Sequence, residues 1–335
     1  MSPVRIGVMG CGRIGRMHAE LIAHQVPGAE VAAVYDVVDE ASASVAEDLG
    51  VRQATDAAEV LEADDVDAVA ICTSTHTHID LLVATAEAGK AAFVEKPLAL
   101  NLADVDRGIA AAEAAGIPVQ VGFNRRFDPS HRYVRDRVAA GDLGDVHLVR
   151  ISSRDPEPPP LMYLDESGGI FCDMTIHDFD MIRFVTNSEV TEVYATGAVL
   201  VDEAIGEVGD LDTAVVVCHH ESGAISTIDN SRRAVYGYDQ RVEAFGSAGM
   251  AASENPLTAT AVTRTADGAR GPALPYFFLE RYVPSYLAEW DAFVAMMQGE
   301  PSPVTLADGR APLAIGLAAW RSVRERRPVQ IDEIG

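Results

Sequence analysis

Cysteine is scarce: four residues, Cys11, Cys72, Cys172 and Cys218, in a chain of 335. They stand far apart and form no CxxC pair, which excludes a zinc knuckle and a disulfide framework and suits a reducing compartment. Cationic residues are also few, 26 Lys and Arg against 51 Asp and Glu, and the formal charge of −25 argues against binding to a phosphate backbone or an anionic membrane surface. No apolar stretch reaches the length of a membrane span, and no charged segment followed by a long apolar run opens the chain. A soluble, cytoplasmic protein without nucleic-acid or membrane partners is therefore expected. GxSxG and HExxH are missing, which removes a serine hydrolase and a zincin from consideration. What is present, 48% hydrophobic and 23% charged residues, is ordinary globular composition with length enough for two domains.

Gly10-Cys11-Gly12-Arg13-Ile14-Gly15 follows the apolar run Val4 to Met9, and Asp36 closes a second apolar run about 20 residues on. A bare GxGxxG is weak evidence, since glycines also serve ordinary turns. Here the strand before it and the acidic residue after it make it a dinucleotide-binding strand, turn and helix. The first two glycines allow a tight turn and a close approach to a pyrophosphate, the third lets the helix pack on its strand, and the helix N-terminus favours the anion. Asp36 stands where a carboxylate accepts from a ribose diol and repels a 2′-phosphate, so NAD is expected over NADP.

Strand-like runs recur at Val31 to Tyr35, Ala68 to Cys72, Ala92 to Val94 and Pro118 to Gly122, separated by helical patterns at Glu40 to Leu49, His78 to Ala88 and Ala103 to Ala114. This alternation predicts an α/β domain over 1–122, a doubly wound parallel Rossmann sheet with its ligand at the carboxyl ends of the strands. Gly10, Asp36, Thr73, Ser74, His76, Glu95 and Lys96 fall at those ends and, with Gly12, Arg13, Ile14 and Gly15, form the expected cofactor set. His76 and His78 open a helix, which either could cap instead. From 123 to 335 the pattern changes to an α+β domain with an open, mostly antiparallel sheet. Its expected parts are a helix from Ser130 to Ala140, strands at Val146 to Ser152, Glu192 to Leu200, Ala214 to His219, Ala224 to Asn230 and Arg241 to Phe245, a helix from Asp173 to Val185, and closing helices at Pro284 to Gln298 and Asp308 to Arg326.

Lys96, in Glu95-Lys96-Pro97, sits where an ammonium can hold or protonate a substrate oxygen, with Pro97 restricting its backbone. A solvated surface lysine is the competing reading. Asp173 and His177, spaced i, i+4, with Asp180 at i+7, share one stripe of the expected helix. An imidazole beside a carboxylate is a general base in waiting; a polar stripe facing water fits the same spacing. One histidine among aspartates is too thin a ligand set for a metal, and none is expected. Arg125, Arg126, Asp155, Tyr236, Tyr238 and Tyr282 offer the charges and hydroxyls that a polyhydroxylated ligand needs.

Taken in order, the fingerprint, Glu95-Lys96-Pro97, Gly122-Phe123-Asn124-Arg125-Arg126-Phe127-Asp128 and Asp173-Met174-Thr175-Ile176-His177-Asp178 resemble the Gfo/Idh/MocA oxidoreductase family over essentially the whole chain. Ser153-Arg154-Asp155-Pro156, Ser167-Gly168-Gly169-Ile170-Phe171 and the stretch Asn230 to Arg241 are similar to those of its inositol 2-dehydrogenases. The resemblance implies NAD-dependent oxidation of myo-inositol to 2-keto-myo-inositol, with Lys96, Asp173 and His177 as the catalytic set. Arg126, Asp155, Asp180, Tyr236 and Tyr282, together with that set, would meet the substrate, and a homotetramer through the open sheet is implied. Scyllo- or chiro-inositol, or an aldose such as glucose, present similar rings. A non-catalytic dinucleotide-dependent sensor is the alternative of another class.

Overall fold

The fold is described from a computed structural model, over residues 2–335. The chain divides into two compact units, 1–124 with 286–313, and 125–285 with 314–335. The segment 286–313, expected in the second domain, therefore belongs to the first.

The first unit holds β1 (Val4–Met9), α1 (Arg13–Gln25), β2 (Ala29–Tyr35), α2 (Asp39–Leu49), β3 (Arg52–Gln53), α3 (Ala57–Leu61), β4 (Ala68–Ile71), α4 (Thr75–Glu87), β5 (Ala91–Glu95), α5 (Leu102–Ala115) and β6 (Val119–Gly122). Its six strands are parallel in the order β3-β2-β1-β4-β5-β6. That is the doubly wound order whose ligand crevice opens at the carboxyl ends of the strands. β4, β5 and β6 are buried along their whole length, which explains their unbroken apolar runs. Helix ends follow local chemistry: Asp56 and Asn101 accept from the third residue of α3 and α5, and α2 and α5 stop at Gly50 and Gly116 in left-handed conformation. Two short elements, β3 and α3, carry too little periodicity to be read from sequence.

The second unit carries α6 (Pro129–Ala139), β7 (Val146–Arg154), α7 (Leu161–Glu166), α8 (Gly169–Asp173), α9 (Ile176–Thr186), β8 (Val190–Ala198), α10 (Glu203–Glu207), β9 (Thr213–His220), β10 (Ile225–Ser231), β11 (Asp239–Gly246), β12 (Met250–Ala252), β13 (Thr263–Thr265) and β14 (Gly268–Arg270). Helices α11 (Phe278–Met297) and α12 (Leu306–Glu325) each contribute to both units, and β15 (Val329–Gln330) returns to the second. The seven-stranded sheet runs β12-β11-β7-β10-β9-β8-β15, antiparallel except for the parallel pair β7 and β10. Period-two alternation turns Val149, Ile151, Val216, Ile228 and Val242 inward, onto Ile170, Phe171, Phe179 and Ile182. The opposite face leaves Leu148, Tyr194, Val215 and Phe245 exposed.

Two expectations about helices need correction. The last but one helix begins at Phe278 and carries Pro284 inside it rather than at its opening. The single helix expected from Asp173 to Val185 is two: Asp173 ends α8, and His177 is the second residue of α9. Between them Met174 and Thr175 both donate N–H bonds to the Ile170 carbonyl, the second across five residues, and the Thr175 hydroxyl adds a third at 3.1 Å. This π-type turn breaks the 3.6-residue register, so Asp173, His177 and Asp180 do not form one helical stripe.

The third fingerprint glycine has no room for a side chain: a Cβ on Gly15 would fall 1.7 Å from the Gly10 carbonyl oxygen. Gly15→Ala should push α1 off its strand and lower stability by about 1–3 kcal/mol, read as a lower urea midpoint at unchanged m-value.

Candidate active site

At the carboxyl end of β1 the chain turns through Gly10, whose φ of 92° and approach to Cys72 and Thr73 exclude a Cβ. Gly12 is the N-cap of α1; no side chain caps that N-terminus, and a Cβ on Gly12 would meet nothing within 4 Å. Uncapped N–H groups facing open space are what a pyrophosphate requires. The turn is tied to Asp36: one carboxylate oxygen accepts the Cys11 N–H at 2.6 Å, the other the Val38 N–H at 2.9 Å. These bonds fix the carboxylate beside the glycine loop while Asp36 remains half-buried, so a ribose diol can reach it. Arg13 is exposed and Ile14 half-buried in the first turn of α1. Across the sheet, after β4, Thr73 and Thr77 join hydroxyls at 2.7 Å, and Ser74 and His76 are exposed. His78, by contrast, is buried between the carbonyls of Pro97 (2.9 Å) and Thr73 (3.0 Å); it fastens two loops together. Burial pushes its pKa down against the pull of those carbonyls.

Lys96 follows β5 directly, half-buried, and its peptide with Pro97 is cis. Glu95 beneath it is buried; its Oε2 accepts the Lys96 N–H at 3.1 Å, and its Oε1 lies 2.8 Å from His18 Nε2. Trp290 donates its indole N–H to His18 Nδ1 at 2.9 Å, so the imidazole proton belongs on Nε2 and points at Glu95. Nearby, Glu289 is fully buried, with neither carboxyl oxygen finding a hydrogen-bond partner among the described residues. Burial, and then the Glu95 charge, raise it well above the usual carboxylate range.

In the second unit the structure separates residues that look alike in sequence. Asp178 and Asp180 are buried and paired, Asp178 with Arg125 at 2.7 Å and Asp180 with both Nε and Nη2 of Arg126. Asp178 also accepts from Asn230, whose side-chain oxygen receives the Thr175 hydroxyl. Asp173 and His177 keep surface. The Asp173 carboxylate accepts the Tyr163 hydroxyl at 2.8 Å and faces Arg232 at 3.5 Å. Arg126 and Asp180, both expected to meet substrate, are thus bound to each other. Tyr282 is 1% exposed, its ring under the Arg281 guanidinium at 4.6 Å and its hydroxyl 3.5 Å from His131. Tyr236 is half-exposed, giving its proton to Asp239 and accepting from Arg154. Asp155 is half-buried, and burial pushes it up to about 6 against the pull of Arg232 and Arg125. No group of His, Cys, Asp and Glu among the described residues could hold a metal ion.

Sequence reading missed the buried partners: His18, Trp290, Glu289, Asp178, Asp210 and Arg232. Their contacts span from 22 to 272 residues of chain, beyond any local pattern. One available signal went unused. The chain has only two lysines, Lys90 and Lys96, and the ammonium of Lys90 is fixed to the carbonyls of Ala63 and Val66. In a chain so poor in lysine, the presence of Lys96 at the carboxyl end of β5 is a compositional signal that the motif alone does not carry.

Residues 4–123 match a family model described as "Oxidoreductase family, NAD-binding Rossmann fold", and residues 131–252 match the GFO/IDH/MocA C-terminal domain. The chain belongs to the GFO/IDH/MocA family. It is 50% identical over 333 residues to a myo-inositol 2-dehydrogenase from Thermotoga maritima, covering 99% of both chains. It is 44% identical to an inositol 2-dehydrogenase from Rhizobium meliloti, over 98% of this chain and 99% of the relative. The crystal structure of a scyllo-inositol dehydrogenase from Lactobacillus casei, with bound NAD(H) and scyllo-inositol, superposes at TM-score 0.91 and 28% identity, covering 99% of both chains. The family's NAD-binding Rossmann domain holds the glycine turn, Asp36 and Lys96; its C-terminal domain spans Asp155, Asp173, His177, Asp180 and Tyr236, while Arg126 and Tyr282 lie outside both matched stretches. Among the described residues, no helix is long and apolar enough to cross a membrane.

Asp155 supplies a pH test. Its folded pKa of about 6 lies above the unfolded value of 3.8, so the proton it holds favours the fold most at low pH, and this contribution is lost as pH rises through 6. Asp155→Asn should therefore gain stability relative to the wild type between pH 4.5 and 7.5, measured by thermal unfolding; a constant difference would count against the raised value.

Proposed function

We propose that the protein oxidises myo-inositol to 2-keto-myo-inositol with NAD. The observation that carries this reading is the sorting of polar groups around the turn after α8: Asp178 and Asp180 are buried in arginine pairs, whereas Asp173 and His177 retain surface for a ligand. The sequence likeness to inositol 2-dehydrogenases over nearly the whole chain supports the choice of substrate.

NAD, when bound, supplies the acceptor for the hydride leaving the carbinol carbon. His177 takes the hydroxyl proton as general base. Asp173, as a carboxylate, fixes the imidazole tautomer and stabilises the imidazolium that forms. Lys96 binds the reacting oxygen and offsets the negative charge developing on it. Gly10, Gly12, Arg13, Ile14 and Gly15 hold the pyrophosphate end and Asp36 the ribose diol, with Thr73, Ser74, His76 and Glu95 completing the cofactor set. Arg126, Asp155, Asp180, Tyr236 and Tyr282 are assigned to the ring hydroxyls. Of these, Asp155 and Tyr236 have surface for direct contact, and the others, being buried, act from behind it. The same reading places the reaction in a reducing cytoplasm, which suits four free cysteines, three of them buried.

Initial rates of NAD reduction by myo-inositol, scyllo-inositol, chiro-inositol and glucose, repeated with NADP, test the activity and the role of Asp36. Myo-inositol with NAD should give the highest kcat/KM; preference for another ring moves the substrate within the family, and silence with all of them, with NADH still bound, favours a sensor. His177→Ala should lower kcat by roughly 10²–10⁴.

A homotetramer assembled through the outer face of the second sheet completes the proposal. Register aligns Phe245, Leu148 and Ile225 across β11, β7 and β10, and Leu148 and Phe245 are 41% and 45% exposed. An apolar row of this kind on an open sheet needs a cover. Light scattering should give the mass of four chains, and Leu148→Lys with Phe245→Lys should reduce it; a monomeric wild type would end this part of the reading.

A further inference from the structure

The glycine pair at 168 and 169 and the arginine at 232 are 63 residues apart, and the folded chain joins them through one aspartate. Asp210 is buried; its Oδ1 accepts the Ile170 N–H at 2.8 Å, near the start of α8, and its Oδ2 receives Arg232 Nη2 at 3.1 Å. The other arm of Arg232, Nη1, faces the Asp173 carboxylate, at the end of α8. One guanidinium and one carboxylate therefore brace α8 at both ends. Gly169 makes the brace possible: its φ is 75°, and a Cβ there would lie 2.7 Å from Asp210 Oδ1 and 2.6 Å from the Trp320 ring. Trp320 in turn donates to the Gly168 carbonyl at 3.0 Å.

We propose that Arg232 is a positioning residue for the dehydrogenation: anchored on Asp210, it holds the Asp173 carboxylate in place for its work with His177. The proposal rests on the reading of Asp173 and His177 as the catalytic pair. Arg232 is fully buried and its guanidinium cannot give up its proton, so it is a fixed positive charge. Around it stand Asp173, Asp210 and Asp155, with the Tyr163 hydroxyl on the second oxygen of Asp173 and Arg125 acting on Asp155 from the other direction. Three carboxylates near one buried cation already repel one another: the Asp173 charge helps raise Asp155, and after burial the charges of Asp173 and Asp210 help push the Cys172 thiol up to about 12. Removing the cation withdraws positive charge from this cluster, which favours proton uptake there, and an Asp173 side chain no longer held in place stabilises an imidazolium on His177 less well. A neutral side chain at 232 therefore costs rate through Asp173 rather than through substrate contact.

The experiment compares Arg232→Gln, Arg232→Lys and Asp173→Asn with the wild type, using myo-inositol and NAD from pH 5 to 10, with thermal midpoints and NADH fluorescence titrations as controls. Arg232→Gln should bind NADH as the wild type does, lose kcat by roughly tenfold or more, and show the acid limb of its kcat/KM profile moved to higher pH. Arg232→Lys keeps the charge but not the two-armed fork, so it should leave the acid limb in place while kcat falls by a smaller factor. A folded Arg232→Gln with an unmoved acid limb overturns the proposal, as does an Arg232→Lys with wild-type kcat. Should Arg232→Gln fail to fold, the Arg232→Lys result decides alone. Asp173→Asn separates the two levels: full activity there defeats the catalytic reading itself, whereas an impaired Asp173→Asn beside an unmoved Arg232→Gln defeats only the positioning role.

Discussion

Four guanidinium groups, those of Arg125, Arg126, Arg232 and Arg281, lie inside the second unit, and each is paired with an aspartate. Taking such charges out of water is costly, and a buried pair contributes less to net stability than its short distances suggest; removing one partner costs about 3–5 kcal/mol, because the other is left uncompensated. What the pairs supply is an ordered interior. Each fixes an element near the candidate site: Arg125 and Arg126 hold α9 through Asp178 and Asp180, Arg281 of α11 holds the N-cap of α6 through Asp128, and Arg232 braces α8. Asp173 is also faced by a buried cation, Arg232, yet unlike Asp178 and Asp180 it keeps surface.

The first unit reaches similar order with fewer charges. Trp290, His18 and Glu95 form a directional chain in which one indole N–H decides where the imidazole proton sits, and the Glu95 carboxylate meets the backbone of Lys96. Phe93 and Trp290, with ring centroids 4.6 Å apart, keep water from this chain. Glu289 sits beside it, its carboxyl pushed up by burial and then by the Glu95 charge.

Much of this was legible in the sequence, and the reasons differ from element to element. The parallel sheet was readable because its central strands are buried on both faces and its helices keep a regular period. The cofactor turn was readable because steric demands at Gly10 and Gly15 leave no alternative residue. The turn after α8 was not: it depends on Thr175 bonding both the Ile170 carbonyl and Asn230, and the second partner is 55 residues away. The start of α11 was hidden by Pro284, which resembles a helix opening but lies within the helix. Among the candidate residues, spacing drew notice to Lys96, Asp173 and His177 without deciding between a site and a solvated surface, and it could not show that Arg126 and Asp180 satisfy each other.

The near-absence of lysine has a practical side. Apart from the α-amino group, a reagent that attacks primary amines has two targets in this chain, and one of them, Lys90, is held by two backbone carbonyls at 2.8 and 2.6 Å. Acylating dyes, amine-coupled supports and lysine-directed cross-linkers therefore have few lysines to attach to, and one of the two stands at the candidate site. For this protein, any lysine labelling other than at Lys90 would be chemistry on the candidate site, and a bound cofactor or ring would be its natural shield.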